Sequence, residues 1–235
     1  MTTLPLKTSE GHFVITLEGK NFVIDTGSPI SFSCDYTVSH IDIGESHFRL
    51  TPFNSRKMAM ELENLVKMPV SGIIGMDTLK ELKRMEISKE EGYIKFGEDI
   101  STKDDEHVIP FAEEHGVLTI GMKVNGRNTK AILDTGARID YMNPALLDTS
   151  IIVSHESDYN PNLGHFEVDG YNTHYTFGDM EVDTICYEET YELNIYIEEI
   201  GLTDVSGIVG LNGFLERSKK VKLCFDTGHV YLSLF

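Results

Sequence analysis

Only three cysteines occur in the chain, Cys34, Cys186 and Cys224, an odd count with no C-x-x-C pair. That speaks against a disulfide framework and for free thiols in a reducing compartment. The nine histidines (His12, His40, His47, His107, His115, His155, His165, His174 and His229) show no metal-ligand spacing, so a solvated or turn position is expected for each and no metal or cofactor is implied. A phosphate-cradling glycine loop, a G-x-S-x-G motif and a basic cluster are all missing. Cations are scarce: 20 Lys and Arg stand against 38 Asp and Glu, a formal net charge of −18. This disfavours nucleic acid and anionic membranes as partners and slows the approach of acidic substrates. A neutral or mildly acidic working pH fits a chain that would become strongly cationic once its carboxylates were protonated. No apolar stretch is long enough for a membrane span, and no charged n-region followed by an apolar h-region opens the chain. The expectation is a soluble, cytoplasmic protein, although a chain from which a signal had been removed would read the same.

What the chain does contain is repetition. Asp-Thr-Gly occurs three times, and two copies, Asp25-Thr26-Gly27 and Asp134-Thr135-Gly136, follow the strand-like runs Phe22-Val23-Ile24 and Ala131-Ile132-Leu133. Each is answered downstream by an apolar pair closed by glycine, Ile73-Ile74-Gly75 and Ile208-Val209-Gly210. The register extends outward. Leu4-Pro5-Leu6 corresponds to Ile109-Pro110-Phe111, and the turn Glu18-Gly19-Lys20-Asn21 to Asn125-Gly126-Arg127-Asn128. From Gly44 to Gly72 is 28 positions and from Gly178 to Gly207 is 29. Such self-similarity marks a tandem duplication in which each copy supplies one carboxylate. The pattern predicts two lobes, 1–97 and 108–235, joined by a polar linker over 98–107. Each lobe closes with a helix, Asp77 to Met85 and Asn212 to Lys219, with Asp77 and Asn212 as N-caps, and then an edge strand, Gly92 to Phe96 and Gly228 to Leu234. The helices are expected to pack beneath the Asp loops. Short alternating runs between glycine turns indicate an all-β chain with one short helix per lobe. The third Asp-Thr-Gly, at Asp226, lies between two strand-like runs and reads as a hairpin turn.

Apolar-apolar-Asp-Thr-Gly followed by apolar-apolar-Gly and a short helix resembles the aspartic proteases over nearly the whole chain. The likeness is to a retropepsin unit duplicated and fused, with a bilobed fold and an internal pseudo-twofold axis. It implies an aspartic endopeptidase, sufficient as a monomer, that takes a peptide or protein substrate. Asp25 and Asp134 are then the catalytic pair, because two carboxylates sharing one proton can act as base toward water and as acid toward the amide carbonyl. Like charges so close cannot both ionise, so the pair titrates in two separated steps. Gly27 and Gly136 let the loops approach with no Cβ in the way. By resemblance, Thr26 and Thr135 hydrogen-bond across the pseudo-twofold axis. Ser28 follows the first motif and Ala137 the second. A hydroxyl donating to Asp25 and none to Asp134 would make Asp25 the more acidic partner.

The second copy carries an insertion: 17 positions separate Gly27 from Gly44, and 42 separate Gly136 from Gly178. Residues Asp158 to Tyr175 read as a turn, a short alternating strand, Asp169-Gly170 and another strand, which together form a hairpin. The resemblance implies a flap closing on substrate, with Gly164, His165, Phe166, Glu167, Tyr171 and Tyr175 as its residues. A surface hairpin without contact to substrate gives the same pattern. A non-catalytic peptide-binding or regulatory module on the same fold also stays open, since fold does not determine function.

Overall fold

The computed structural model describes residues 1–53, 55–160 and 164–235. In the first half, strand His12–Leu17 turns back into Lys20–Ile24 through Glu18 (φ 49°) and Gly19 (φ 79°). In the second, Val117–Val124 turns into Arg127–Asp134 through Asn125 (φ 49°) and Gly126 (φ 79°). Two successive positive φ values match the twist of the flanking strands, and Gly carries the second at no steric cost.

The strand that ends at each Asp-Thr-Gly then lies parallel to the later glycine strand, with Phe22 opposite Gly72 and Ile132 opposite Ile208. Phe32–Ser33 and Tyr141–Met142 pair antiparallel with the other side of those same strands. Strands flanked on both sides in this way are continuously apolar, as Gly72–Ile74 and Gly207–Gly210 are. Glycine is required at the crossing, because a Cβ on Gly72 would overlap the Phe32 carbonyl and one on Gly207 the Tyr141 carbonyl.

The halves are joined by a six-stranded antiparallel sheet. Its order is Thr2–Ser9, Tyr93–Phe96, Arg84–Ser88, Ser218–Cys224, His229–Leu234 and His107–Glu114. Tyr93–Phe96 and His229–Leu234 are therefore interior strands, not the edges expected from their terminal place in each copy. Each outer strand changes partner midway: Thr2 to Pro5 pair in this sheet and Leu6 to Ser9 with His12–Leu17, and His107–Glu114 behaves alike. The expected linker is strapped to the sheet. The buried Lys222 ammonium donates to Glu106 at 2.5 Å and to the Ser101 carbonyl at 2.7 Å. One core cluster runs through both halves, with Phe13, Phe22, Phe96, Tyr175 and Phe214 almost fully buried, each contributing about 1.5–3 kcal/mol.

Four α-helices are present among the described residues: α1 (Arg56–Val66), α2 (Met76–Leu79), α3 (Tyr191–Glu199) and α4 (Asn212–Leu215). The second and fourth begin where helices were expected but are shorter, because Met85 and Lys219 are drawn into the joining sheet. Their caps differ from the expectation: Gly75 and Leu211 hold the cap positions. Asp77 accepts instead from Ser31, and Asn212 donates to Gly11 and Arg138 carbonyls. Helices α1 and α3 add a longer one to each half. Both have hydroxyl caps, Ser55 accepting from Met58 N and Thr190 from Leu193 N.

Candidate active site

The pairing just described delivers each Asp at the end of a buried strand into a tight loop, and the two loops meet. Thr26 and Thr135 are fully buried and clasp each other. Thr26 N donates to Thr135 Oγ1 at 3.0 Å and Thr135 N to Thr26 Oγ1 at 2.9 Å. Each hydroxyl donates onward to the opposite strand, Thr26 to Leu133 O and Thr135 to Ile24 O, both at 2.8 Å. Both amide N–H groups and both hydroxyls of the clasp are thereby paired, which stiffens the contact. The loops approach too closely for side chains: a Cβ on Gly136 would sit 2.6 Å from Asp25 Cγ, and one on Gly27 2.5 Å from Asp134 Cγ.

The two carboxyls share a donor. Gly27 N lies 2.9 Å from Asp25 Oδ1 and 3.1 Å from Asp134 Oδ1, and Gly136 N donates to Asp134 Oδ1 at 2.7 Å. Burial raises the pKa of both acids. Asp25 goes further up, well above the usual carboxylate range, because the Asp134 charge adds to burial. Asp134 is pulled back by its hydrogen bonds from Asp25, Gly136 and Gly27. These shifts lean the shared proton toward Asp25, where Ser28 was expected to lean it toward Asp134. The Ser28 hydroxyl donates to the Ile30 carbonyl at 2.8 Å, so Asp25 receives no side-chain donor from it. Ala137 lines the cleft beside Asp134.

In a search of solved structures, an aspartic proteinase from Irpex lacteus aligns over 99% of this chain and 96% of its own, with a TM-score of 0.55 at 11% identity. The chain has the bilobed fold of the aspartic proteinases. The simian foamy virus (mac) protease aligns over 40% of this chain and 89% of its own, with a TM-score of 0.30 at 15% identity. No family model and no curated protein sequence matches the chain.

Within this proteinase fold the carboxyls form the floor of a cavity of about 100 Å³. Val23 and Ile73, with Leu62, Leu65 and Val66 of α1, form one wall. Ala137, Tyr141, Leu193 and Ile208 form the other. The insertion in the second half covers the cavity as a hairpin, Ser154–Asn160 against the first part of Gly164–Phe177, with Asn160 opposite Gly164. Residues 161–163 of the expected Asp158–Tyr175 hairpin lie outside the described residues. Asp169-Gly170 is not a turn. It lies inside a continuous strand, where Gly170 is needed because a Cβ would sit 2.8 Å from the Tyr187 ring.

Of the expected flap residues, Phe166 reaches the cavity, and Gly164 and His165 lie near the hairpin end. Glu167 is exposed and lines an outer groove. Tyr171 and Tyr175 are not over the cleft: Tyr171 is buried with its hydroxyl toward Glu188, and Tyr175 is in the main core against Phe177. The hairpin residues that line the cavity are Asp158, Tyr159 and Phe166. The Tyr159 hydroxyl donates to Glu61 of α1 and joins flap to helix across the cleft. His12 also departs from expectation. It is 3% exposed and lines the cavity beside Gly136. Its place in the run His12-Phe13-Val14-Ile15, straight after a Glu-Gly turn, was the sequence signal for a buried strand residue. Asp226 occupies the hairpin turn expected of it. Its carboxylate takes Arg84 Nε and Nη2 at 2.8–3.1 Å, and Arg84 holds its pKa down.

Proposed function

We propose that this chain is an aspartic endopeptidase, formed by internal duplication into lobes 1–97 and 108–235 joined by 98–107, and active as a monomer. The observation that carries the reading is the pair of buried carboxyls on one shared backbone donor, Gly27 N, each held above the usual carboxylate range. In the proposed cycle Asp134 takes a proton from water as the oxygen attacks the amide carbon, and Asp25 gives its proton to the carbonyl oxygen. A gem-diol results. Asp134 then passes its proton to the amine nitrogen, Asp25 recovers one from a diol hydroxyl, and the C–N bond breaks. Acid and amine leave, and both carboxyls return to their starting state. The flap and α1 exclude water from this exchange when they meet, and they must part to admit substrate.

Turnover of an unfolded protein tests the proposal. Wild type should cleave it, chelators should have no effect, and statine-type peptides should compete. Asp25→Asn and Asp134→Asn should each lower the rate on the order of 10³-fold or more while the fold is retained. Asp226→Asn should stay active. Substantial activity in the Asp134 variant contradicts a two-carboxylate mechanism. The Tyr159–Glu61 contact supports a second reading, a peptide-binding module whose cleft stays shut; binding of peptides without any turnover would favour it.

A further inference from the structure

His12 begins strand His12–Leu17 immediately after Gly11, whose φ is +85°. A Cβ at Gly11 would lie 2.6 Å from Arg138 Cγ, so the turn is cut back to let Arg138 lie against it. Asn212 holds the two segments together, its Nδ2 donating to Gly11 O at 3.0 Å and Arg138 O at 3.2 Å. His12 and Arg138 are thus set side by side in the cavity wall next to Asp134. His12 Nε2 is buried and has no hydrogen-bond partner among the described residues. Burial lowers the ring's pKa, and a neutral ring carries one N–H and one acceptor nitrogen. An unprotonated Nε2 is an acceptor in want of a donor. Arg138 complements it. The guanidinium gives Nη1 and Nη2 to Glu156 Oε2 and Nη2 to Ser157 O, all at 3.1 Å, and a guanidinium carries five N–H groups.

Resting on the endopeptidase reading, we propose that His12 and Arg138 form a subsite that selects substrates with a carboxamide side chain, asparagine or glutamine, close to the scissile bond. The amide N–H₂ meets His12 Nε2, and the amide carbonyl meets Arg138. The alternatives fit less well. An acidic side chain would face Asp134 and Asp158 and offers no donor to Nε2. A basic one would enter beside Arg138, and Asp158 is already taken by the Tyr141 hydroxyl and Tyr159 N. An apolar one would leave Nε2 unpaired, the situation in which polar sites discriminate most strongly.

The test uses statine-containing peptides identical except for Gln, Leu, Glu or Lys at each position flanking the statine. Binding is measured by calorimetry to wild type, His12→Leu and His12→Gln. At one position wild type should bind the Gln peptide about tenfold tighter than the Leu peptide. His12→Leu should abolish that preference, and His12→Gln, which keeps an acceptor, should retain part of it. Equal binding of Gln and Leu, a preference for Glu or Lys, a preference that survives in His12→Leu, or no binding of any peptide overturns the proposal. Cleavage of the matching amide-linked peptides is read separately. Cleavage without carboxamide preference removes the subsite and leaves the endopeptidase, whereas carboxamide-selective binding without cleavage does the reverse.

Discussion

Six residues after the aspartate of each buried Asp-Thr-Gly loop, the two halves solve one problem in different ways. The backbone N–H at the end of the glycine strand must be satisfied where the loop folds over it. In the first half Gly75 N donates to the Ser31 hydroxyl at 2.9 Å, and Ser31 donates on to Asp77, with the Thr78 hydroxyl 2.7 Å away. In the second half Gly210 N donates to Asp140 Oδ1 at 2.8 Å. The geometry is the same but the chemistry is not. A hydroxyl is neutral at every relevant pH, whereas burial pushes the Asp140 carboxyl up to about 7. The second half also carries the long hairpin insertion, and its Arg138 lies against Gly11 of the first half. The backbone frame is therefore shared, and the buried carboxyl that titrates near neutrality is found on one side of it.

The threonine clasp is where the halves should be equal. Thr26→Val or Thr135→Val strands a buried N–H and a buried carbonyl, which should cost ~2–4 kcal/mol. For a chain of this size that is a fall of roughly 5–15 °C in Tm by scanning calorimetry. A large loss in one variant and none in the other would break the equivalence. Asp140 is where the halves should differ. The folded state keeps a proton on Asp140 that the unfolded chain releases near the ordinary value of 3.8, so stability falls as pH rises from about 4 to 7 and levels off above. Asp140→Asn keeps an acceptor for Gly210 N and should flatten that fall, gaining on the order of 2 kcal/mol at pH 7.5 and little at pH 4. Denaturant melts at the two pH values check this, and a gain independent of pH would contradict it. The smallest effect is expected at Ser28. Because its hydroxyl serves Ile30 O, Ser28→Ala should leave the acid limb of the pH–rate profile within about 0.3 unit and cost about 1 kcal/mol of stability.

Much of the frame was legible because it rests on local rules. A Gly-containing turn, an apolar run into Asp-Thr-Gly and a matching glycine strand each leave a short, repeated signature; the close approach follows from residue type, and the clasp was expected from the resemblance. The missing parts depend on tertiary contacts. Helix α1 carries Met58, Leu62, Leu65 and Val66 at helical spacing and α3 carries Leu193 and Ile197 with Ile200 as its C-cap, but strand alternation alone passes over both. Gly170 looked like a turn glycine because the Tyr187 ring that crowds it lies on a neighbouring strand. The Ser28 rotamer was decided by a carbonyl two residues away, which no spacing reveals. His12 was hidden for the same reason: its neighbours Gly136 and Arg138 are far away in sequence and reach it only through the lobe contact.

The measurement closest to the central claim is a titration of ¹³C-labelled aspartate carboxyls between pH 3 and 8, in wild type and in Asp25→Asn and Asp134→Asn. The account predicts two widely separated steps for the pair, with Asp134 ionising first and Asp25 holding its proton well above the usual carboxylate range. Each variant should collapse the remaining partner to a single step. Two independent carboxyls that both titrate near 4, each indifferent to loss of the other, would contradict it.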